Sequence, residues 1–233
     1  MRTLRALAKL TLSLRVTGVR DDGLHLIDAE MVTVDLADVL TFEEEGDLDG
    51  VEVHGAVLPA DNLVTRALRF VGRRARVVVD KHIPIGGGLG GGSADAAAVL
   101  RWAGCTEVDA AAGLGADVPF CLVGGRARVR GVGEVVDPLP FVDATYTLLT
   151  PPFPVLTWKV YRAWDELGSP SAAGRNDLEP AALAVEPRLA TWRDRLGDAT
   201  GAEPVLAGSG GTWFVPGAFP TVPGAVVTRT DRP

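Results

Sequence analysis

Residues 86–93 read GGGLGGGS, and this glycine run constrains the fold of the chain more than any other segment. It follows the β-branched run at 77–79 and precedes the alanine-rich segment 93–104, which predicts a strand, a loop and a helix in that order. Glycine lets backbone N–H groups turn inward around an anion, and a helix N-terminus adds unpaired donors and a favourable dipole. This setting predicts a phosphate site; a tight strand-to-helix turn without a ligand is the alternative.

Other known phosphate loops differ from this one. Gly86, Gly88 and Gly91 satisfy G-x-G-x-x-G, but a dinucleotide fold needs an acidic residue at the end of the next strand, and residues 110–115 predict no such strand. A Walker loop needs Lys-Ser or Lys-Thr after its last glycine, which this chain lacks. A protein-kinase loop is followed by a second strand, whereas a helix is predicted here. The loop therefore indicates another class of phosphate-binding protein.

The composition is that of an ordinary globular protein. The chain has 233 residues, of which 47% are hydrophobic and 23% charged, enough for one large or two small domains. A formal net charge of -7 argues against a nucleic-acid partner. No apolar run approaches the ~18 to 20 residues that span a bilayer, so no membrane association is expected, and no obligatory protein partner is indicated.

The first residues and the cysteines bear on the compartment. The opening segment 1–16 is basic and apolar like a targeting segment, but no small-residue cleavage pattern follows and its apolar residues alternate as in a strand. We therefore expect mature protein in the cytoplasm. Cys105 and Cys121 lack metal-ligand spacing and are expected to be buried free thiols.

The first half of the chain predicts strands followed by two helices. Apolar and polar residues alternate over 10–17, with Lys9 on the polar face, and further strands are predicted around 31–36 and 51–57. A helix is predicted over 63–71, capped from Asp61-Asn62. In the helix after the glycine loop we expect Ser93 as the cap, Asp95 in the first turn and Gly104 at the end.

The composition changes near residue 144, and a second lobe is predicted from there. A strand and a proline-rich turn are followed by helical segments around 160–167 and 183–196, with a loop at 169–175 between them. A second glycine turn then lies between two short strands, and a last strand closes the chain. The predicted domains are residues 1–143 and 144–233.

The glycine loop and its flanks, PIGGGLGGGSADAA at 84–97, resemble the central motif of the GHMP small-molecule kinases. Other segments match that family in its order: AKLTLSL at 8–14, VRDDGLH at 19–25, DNLVTRA at 61–67, LGADVPFCLVGG at 114–125, NDLEP at 176–180 and AGSGGTWF at 207–214. The resemblance covers nearly the whole chain, and several motifs in register are more specific than any single one.

The resemblance implies a fold and a reaction. The fold is a two-lobed α+β structure, with an N-terminal lobe like ribosomal protein S5 and a ferredoxin-like C-terminal lobe. The reaction is transfer of the γ-phosphoryl group of ATP, with Mg²⁺, to an alcohol. Within the family the chain is most similar to members that phosphorylate the 2-hydroxyl of 4-diphosphocytidyl-2-C-methyl-D-erythritol in the non-mevalonate isoprenoid pathway. The expected partner is thus a small alcohol carrying cytidine diphosphate.

The family's catalytic pair matches Lys9 and Asp117 of this chain. Phosphoryl transfer needs charge neutralisation and a group that accepts or orients the hydroxyl proton. The resemblance implies that Asp117 accepts or orients this proton. It also implies that Lys9 lies nearby, where it would keep Asp117 ionised and stabilise the alkoxide. From the residues alone, an aspartate before Pro119 is more typical of a turn or helix cap, and a lysine at position 9 of a solvated strand face.

The resemblance also implies binding residues. The expected ATP contacts are Asn62, Pro84, Ile85, Gly86, Gly87, Gly88, Leu89, Gly90, Gly91, Gly92, Ser93 and Ala94. The expected acceptor contacts are Thr11, His25, Asp117, Gly208, Ser209 and Gly210. Ser93 is also expected to contact Mg²⁺, although capping alone would explain a serine there. Likewise a hairpin-like turn would explain 208–211, and a turn histidine without a ligand would explain His25.

Departures from the family pattern affect the acceptor more than the reaction. Leu24 and Gly174 stand where the family has aromatic rings that sandwich cytosine. Such stacking contributes ~1 to 3 kcal/mol per base, so cytidine recognition is weakened unless Trp158, Tyr161 or Trp164 substitutes. Two alternatives therefore stay open: a GHMP kinase for a different small alcohol, and a catalytically silent nucleotide-binding relative.

Overall fold

The protein, seen here as a computed structural model that describes residues 1–44 and 50–232, consists of two β-sheets with their helices. The strands of the first sheet are β1 Arg2–Val19, β2 His25–Glu43, β3 Val51–His54, β4 Arg76–Asp80, β5 Arg126–Gly131 and β6 Val135–Pro138. Those of the second are β7 Thr145–Leu149, β8 Val205–Leu206, β9 Trp213–Pro216 and β10 Ala225–Arg229. The helices are α1 Leu63–Phe70, α2 Gly91–Ala103, α3 Val108–Ala111, α4 Val118–Val123, α5 Thr157–Glu166, α6 Glu179–Val185 and α7 Leu189–Thr200.

The long strand β2 organises the first sheet. It pairs antiparallel with β1 along most of its length, with β5 near its start and with β4 near its end, and β3 adds to β4 in parallel. The predicted strand and the turn at 21–23 are confirmed, but burial alternates only over 14–17, since Lys9 and Thr11 on the predicted polar face are buried. Helix α2 packs against β1 on one face of this sheet, with its alanines buried. Small side chains there let the helix approach the strand that carries Lys9.

Helix α2 follows the glycine loop as predicted, but it begins earlier than expected. Gly90 occupies the cap position with φ +68°, makes no side-chain capping bond, and is followed by helix from Gly91. The predictions that Ser93 caps the helix and that Asp95 lies in its first turn are therefore wrong. Because a glycine cap carries no acceptor, the first N–H groups of α2 have no side-chain partner and are available to an anion. Gly104 ends the helix, as predicted.

The second sheet has the strand order β10-β7-β9-β8, and each of these pairings is antiparallel. Its short strands and the helix at α5 were predicted correctly. The single helix predicted over 183–196 is wrong, since α6 and α7 are separate there. Pro187 explains the break, because proline lacks an N–H and disfavours helical geometry at the preceding Glu186, which has φ -138° and ψ 84°.

The two-lobed α+β fold expected from the sequence is confirmed, and the lobes meet beside the glycine loop. Isolated bridges join Leu14 to Asn176 and Val34 to Thr230, across the two parts of the chain. The amide of Thr212 also donates to the carbonyl of Gly87, at 3.1 Å. The loop therefore contacts residues from both sheets.

The cysteines and the helices test two further expectations. Cys105 and Cys121 are both free thiols; Cys121 is buried as predicted, whereas Cys105 is only half-buried. None of the helices within 1–44 and 50–232 has the length and apolar character needed to cross a bilayer.

Candidate active site

A cavity of about 290 Å³ lies where the glycine loop, β1, the start of α4 and the second lobe meet. Its wall includes most of the predicted ATP-binding segment together with the predicted catalytic pair. The lining residues are Lys9, Leu58, Leu63, Lys81, Ile83, Pro84, Ile85, Gly86, Gly87, Gly88, Leu89, Gly90, Gly91, Gly92, Ser93, Asp117, Thr157 and Ser209. Residues from distant parts of the sequence thus share one cavity.

The glycine loop lies directly against β1. The amide of Lys9 donates to the carbonyl of Leu89 at 3.0 Å, and a Cβ on Gly90 would lie 2.7 Å from Cγ of Lys9. Only a residue without a side chain fits there, and the positive φ of Gly90 adds a second reason for glycine. The Lys9 side chain therefore extends along the inner side of the loop.

Lys9 is buried, with 6% of its side chain exposed. Its amine donates to Oγ1 of Thr11 at 3.0 Å and lies 3.6 Å from Oδ2 of Asp117. The alternative of a solvated lysine on a strand surface is therefore wrong. A buried ammonium needs a partner, and Asp117 supplies the opposite charge.

Asp117 occupies the cap position of α4, as sequence reasoning without the family had suggested, but its side chain makes no capping bond. The carboxylate instead faces Lys9 and remains one-third exposed toward the cavity. Burial is the main cause that raises the pKa of the Cys121 thiol to about 12, and the charge of Asp117 adds to it. The same two causes raise the pKa of the Tyr161 phenol. Both neighbours therefore stay protonated near neutral pH, which leaves Asp117 as the candidate proton acceptor.

The second glycine turn forms the opposite wall of the cavity. A Cβ on Gly208 would lie 3.3 Å from the Lys9 amine and 3.4 Å from Oγ1 of Thr11. Ser209 donates from its hydroxyl to Oγ1 of Thr157, at 3.0 Å, and both side chains line the cavity. The structure thus brings the predicted acceptor turn next to the predicted catalytic lysine.

Two predicted ATP contacts do not line this cavity. Asn62 caps α1 by accepting from the amide of Thr65 at 3.1 Å, and it borders neighbouring cavities, one of them shared with Gly92. Ala94 is fully buried within α2. The largest neighbouring cavity, about 780 Å³, is bordered by α1 and residues 50–60 but contains neither the glycine loop nor Asp117. Its size alone does not make it the site of phosphate chemistry.

The predicted cytidine contact, His25, is the first residue of β2; it packs against α5 and is not part of the cavity wall. Its Nε2 lies 2.8 Å from Oδ1 of Asp165, and its ring centroid lies 4.6 Å from that of Tyr161 and 5.7 Å from that of Trp164. Of the aromatic side chains considered as substitutes, Tyr161 and Trp164 therefore contact His25. Trp158 is 61% exposed and pairs with Lys159 instead.

A buried ionic cluster beneath the loop was missed by sequence reasoning. The Lys81 amine binds the carboxylates of Asp38 and Asp95, the latter at 2.7 Å, and all three side chains are almost completely buried. Oδ1 of Asp38 also accepts from the amides of His82, at 2.5 Å, and Ile83, at 2.8 Å. The cluster therefore connects three segments: β2, residues 81–83 between β4 and the glycine loop, and helix α2 after the loop. An aspartate inside an alanine-rich helix was the available signal, since buried carboxylates need partners.

The cluster carries one more negative than positive charge. Burial is the main cause that raises the pKa of Asp95; Lys81 opposes this, and the charge of Asp38 adds to it. Oδ1 of Asp95 has no hydrogen-bond partner among the described residues. Because the folded state binds this proton more tightly than the unfolded chain, the resulting contribution to stability is lost as the pH rises through the raised pKa.

Replacing Lys81 by methionine is expected to lower the free energy of unfolding by about 3 to 5 kcal/mol, since two buried carboxylates lose their counter-ion. The loss should be smaller at about pH 5 than at about pH 8, because the raised pKa of Asp95 lets that carboxyl keep its proton at the lower pH. Urea unfolding at the two pH values measures it, with Lys159→Met on the exposed face of α5 as the control. Equal, small losses in both variants would contradict this role for the cluster.

Comparisons with known proteins agree with this geometry. Residues 62–125 match the family model described as GHMP kinases N terminal domain. A 4-diphosphocytidyl-2-C-methyl-D-erythritol kinase of Paracoccus denitrificans is 39% identical over 229 residues, covering 89% of this chain and 84% of the relative. The protein of the same name from Cereibacter sphaeroides is 39% identical over 241 residues, covering 90% and 87%.

Solved structures also show similarity to a kinase of this kind. A crystal structure of 4-(cytidine 5'-diphospho)-2C-methyl-D-erythritol kinase superposes with a TM-score of 0.79 at 30% identity, covering 99% of this chain and all of that one. A mevalonate kinase structure, with a TM-score of 0.60 at 11% identity, shares the fold alone. Identity across almost the full length, with the cavity described above, shows that the chain belongs to the 4-diphosphocytidyl-2-C-methyl-D-erythritol kinase family of the GHMP kinases.

Proposed function

We propose that this protein transfers the γ-phosphoryl group of ATP to the 2-hydroxyl of 4-diphosphocytidyl-2-C-methyl-D-erythritol, a step in isoprenoid precursor synthesis. The observation that carries the proposal is the Lys9–Asp117 pair, 3.6 Å apart, in a cavity walled by the glycine loop. The names of the similar kinases support this acceptor. An intact ion pair in the cavity argues against a catalytically silent relative.

In this proposal, Asp117 accepts or orients the proton of the attacking hydroxyl. The hydroxyl oxygen forms a bond to the γ-phosphorus, the bond from that phosphorus to the β–γ bridging oxygen breaks, and ADP leaves. Lys9 supplies the opposite charge beside Asp117 and stabilises the negative charge on the acceptor oxygen. Phosphoryl transfer depends mainly on positioning and electrostatic stabilisation, which are the roles proposed for these two side chains and the phosphate cradle.

The ATP phosphates are proposed to bind the N–H groups of the loop and of the first turn of α2, which carry no side-chain cap. The proposed ATP contacts also include the segment from Pro84 to Ser93, which lines the cavity, and Asn62, which borders the neighbouring cavities. Mg²⁺ takes oxygen ligands, and the Ser93 hydroxyl in this cavity suits it. No cluster of three or more His, Cys, Asp or Glu in the described ranges could hold a metal, so phosphate oxygens would supply most ligands. Bound Mg²⁺ would neutralise phosphate charge.

The acceptor is proposed to bind on the side of the second glycine turn. Thr11 and Gly208 lie beside the Lys9 amine, Ser209 lines the cavity, and Gly210 packs against Gly88 of the glycine loop. His25, with Tyr161 against its ring, is the proposed cytidine contact. We further propose two domains, 1–143 and 144–233, because each sheet draws its strands from one of these ranges. As expected from the sequence, we also propose a cytoplasmic location.

A coupled ADP-release assay tests the proposal. The wild-type protein with ATP and Mg²⁺ should release ADP only when 4-diphosphocytidyl-2-C-methyl-D-erythritol is present. Homoserine, mevalonate and the acceptor without its cytidine serve as comparison alcohols. Turnover of one of these alone would favour a different GHMP kinase, and no ADP release with any alcohol, despite measurable ATP binding, would favour the silent relative.

A further inference from the structure

Asn176 joins the second lobe to the strand that carries Lys9. Its backbone lies in a parallel bridge with Leu14 of β1, in which the Leu14 amide donates to the carbonyl of Arg175 at 2.8 Å and the Asp177 amide donates to that of Leu14 at 3.0 Å. The residue is 1% exposed. Its position is thus determined by β1 on one side and by its own lobe on the other.

The side-chain amide of Asn176 is completely used. Nδ2 donates to the carbonyl of Leu206 at 2.8 Å and to that of Gly208 at 2.7 Å, while Oδ1 accepts from the Leu178 amide at 2.9 Å. The orientation is unambiguous, because the two carbonyls can only accept and the Leu178 amide can only donate. Both carbonyls belong to the entry of the second glycine turn.

That turn faces Lys9 directly. The Cβ position of Gly208 lies 3.3 Å from the Lys9 amine, and the next residue, Ser209, lines the cavity. β1 is therefore linked to the turn in two ways: the Lys9 amine lies beside Gly208, and the bridge from Leu14 holds Asn176, whose side chain binds the turn. We propose that Asn176 is a positioning residue whose amide sets the second glycine turn against the Lys9 amine, and so determines the acceptor side of the reaction.

This inference rests on the proposed function for its kinetic consequence. Besides its bond to Thr212, the glycine loop has supports of its own: the Lys9 amide donates to the carbonyl of Leu89, and the amides of His82 and Ile83, just before the loop, donate to Asp38. Loss of the Asn176 amide should therefore displace the second turn and leave the first loop in place. A displacement of about 1 Å at a reacting centre can cost about 100-fold in rate.

Three variants test the proposal. Asn176→Ala removes both donors, and Asn176→Ser retains one hydroxyl donor. Asp177→Asn is the matched control, because Asp177 is equally buried but bonds to Arg15 and to the amides of Val16 and Ala172, not to the turn. The measurements are kcat, acceptor KM, affinity for a non-hydrolysable ATP analogue, melting temperature and deuterium exchange of residues 206–210.

We expect Asn176→Ala to lower kcat about 100-fold, with a smaller loss in the serine variant and ATP-analogue affinity within about twofold of wild type. Exchange at 206–210 should rise in both, and not in Asp177→Asn. Parallel losses of kcat and ATP affinity in all three variants, in step with melting temperature, would overturn the inference. If the alanine variant fails to fold, the serine variant decides. Deuterium exchange needs no substrate, so it tests the role of Asn176 even if the wild-type protein phosphorylates no acceptor. That lack of phosphorylation would overturn the proposed function, not the inference on Asn176.

Discussion

Replacing Asp117 by asparagine should lower kcat by about 10² to 10⁴-fold while ATP still binds, because the amide keeps the shape of the carboxylate but cannot accept the proton. The Lys9 amine, 3.6 Å away and buried, would also lose its counter-charge. The glycine loop makes no bond to Asp117, so the phosphate cradle should be unaffected. Single-turnover and steady-state ADP release give kcat, and calorimetric titration gives the ATP affinity.

The control for this variant is Asp109→Asn, which removes an exposed carboxylate from α3 without touching the cavity. Its kcat should match that of the wild type. Turnover of Asp117→Asn within about threefold of wild type would exclude general base catalysis by Asp117, since such groups contribute at least about 100-fold. A loss of ATP binding equal to the loss of rate would instead make Asp117 a nucleotide ligand.

Replacing Gly88 by alanine should lower the free energy of unfolding by about 2 to 5 kcal/mol, the sum expected for an L-residue in left-handed geometry and for overpacking. Gly88 has φ +80°, and its Cβ would lie 2.3 Å from the carbonyl oxygen of Ala207 and 2.8 Å from Cα of Gly210. These neighbours are backbone atoms, so no side chain can rotate to make room. The two glycine turns, one from each lobe, would have to separate.

A suitable control is Gly104→Ala at the end of α2, where φ is +74° and a Cβ would meet nothing within 4 Å. Both variants carry the conformational cost, and only Gly88→Ala carries the clash. Urea unfolding of the two should therefore differ by at least about 1 kcal/mol, with ATP affinity reduced in Gly88→Ala alone. Equal losses would show that contact between the turns does not matter for stability.

Local patterns predicted most of the secondary structure, and they failed at the α6–α7 break and at the start of α2. The break at Pro187 was readable from the sequence, yet the apolar periodicity on both sides of it favoured one helix. The start of α2 could not be read in the same way, because Ser93 is a good cap and only the left-handed geometry of Gly90, packed on Lys9, makes the helix begin earlier.

The site was predicted unevenly for a similar reason. Family motifs identified Lys9, Asp117 and the glycine loop as site residues, because residue type and order are enough to indicate their chemistry. Asp38, Lys81 and Asn176 were missed as functional residues, since nothing in their local sequence indicates burial or partners. Their roles come from contacts between segments far apart along the chain, and such contacts depend on how the sheets and helices pack.

By itself, the sequence determined the order of strand, glycine loop and helix, and the family to which the chain is similar. These follow from local periodicity, from the backbone freedom of glycine and from motifs in register. Only the tertiary structure decided that Lys9 is buried rather than solvated, that it lies 3.6 Å from Asp117, and that both glycine turns share one cavity. The physical reason is that burial and charge pairing depend on which segments pack together, and neither is a property of a residue and its sequence neighbours alone.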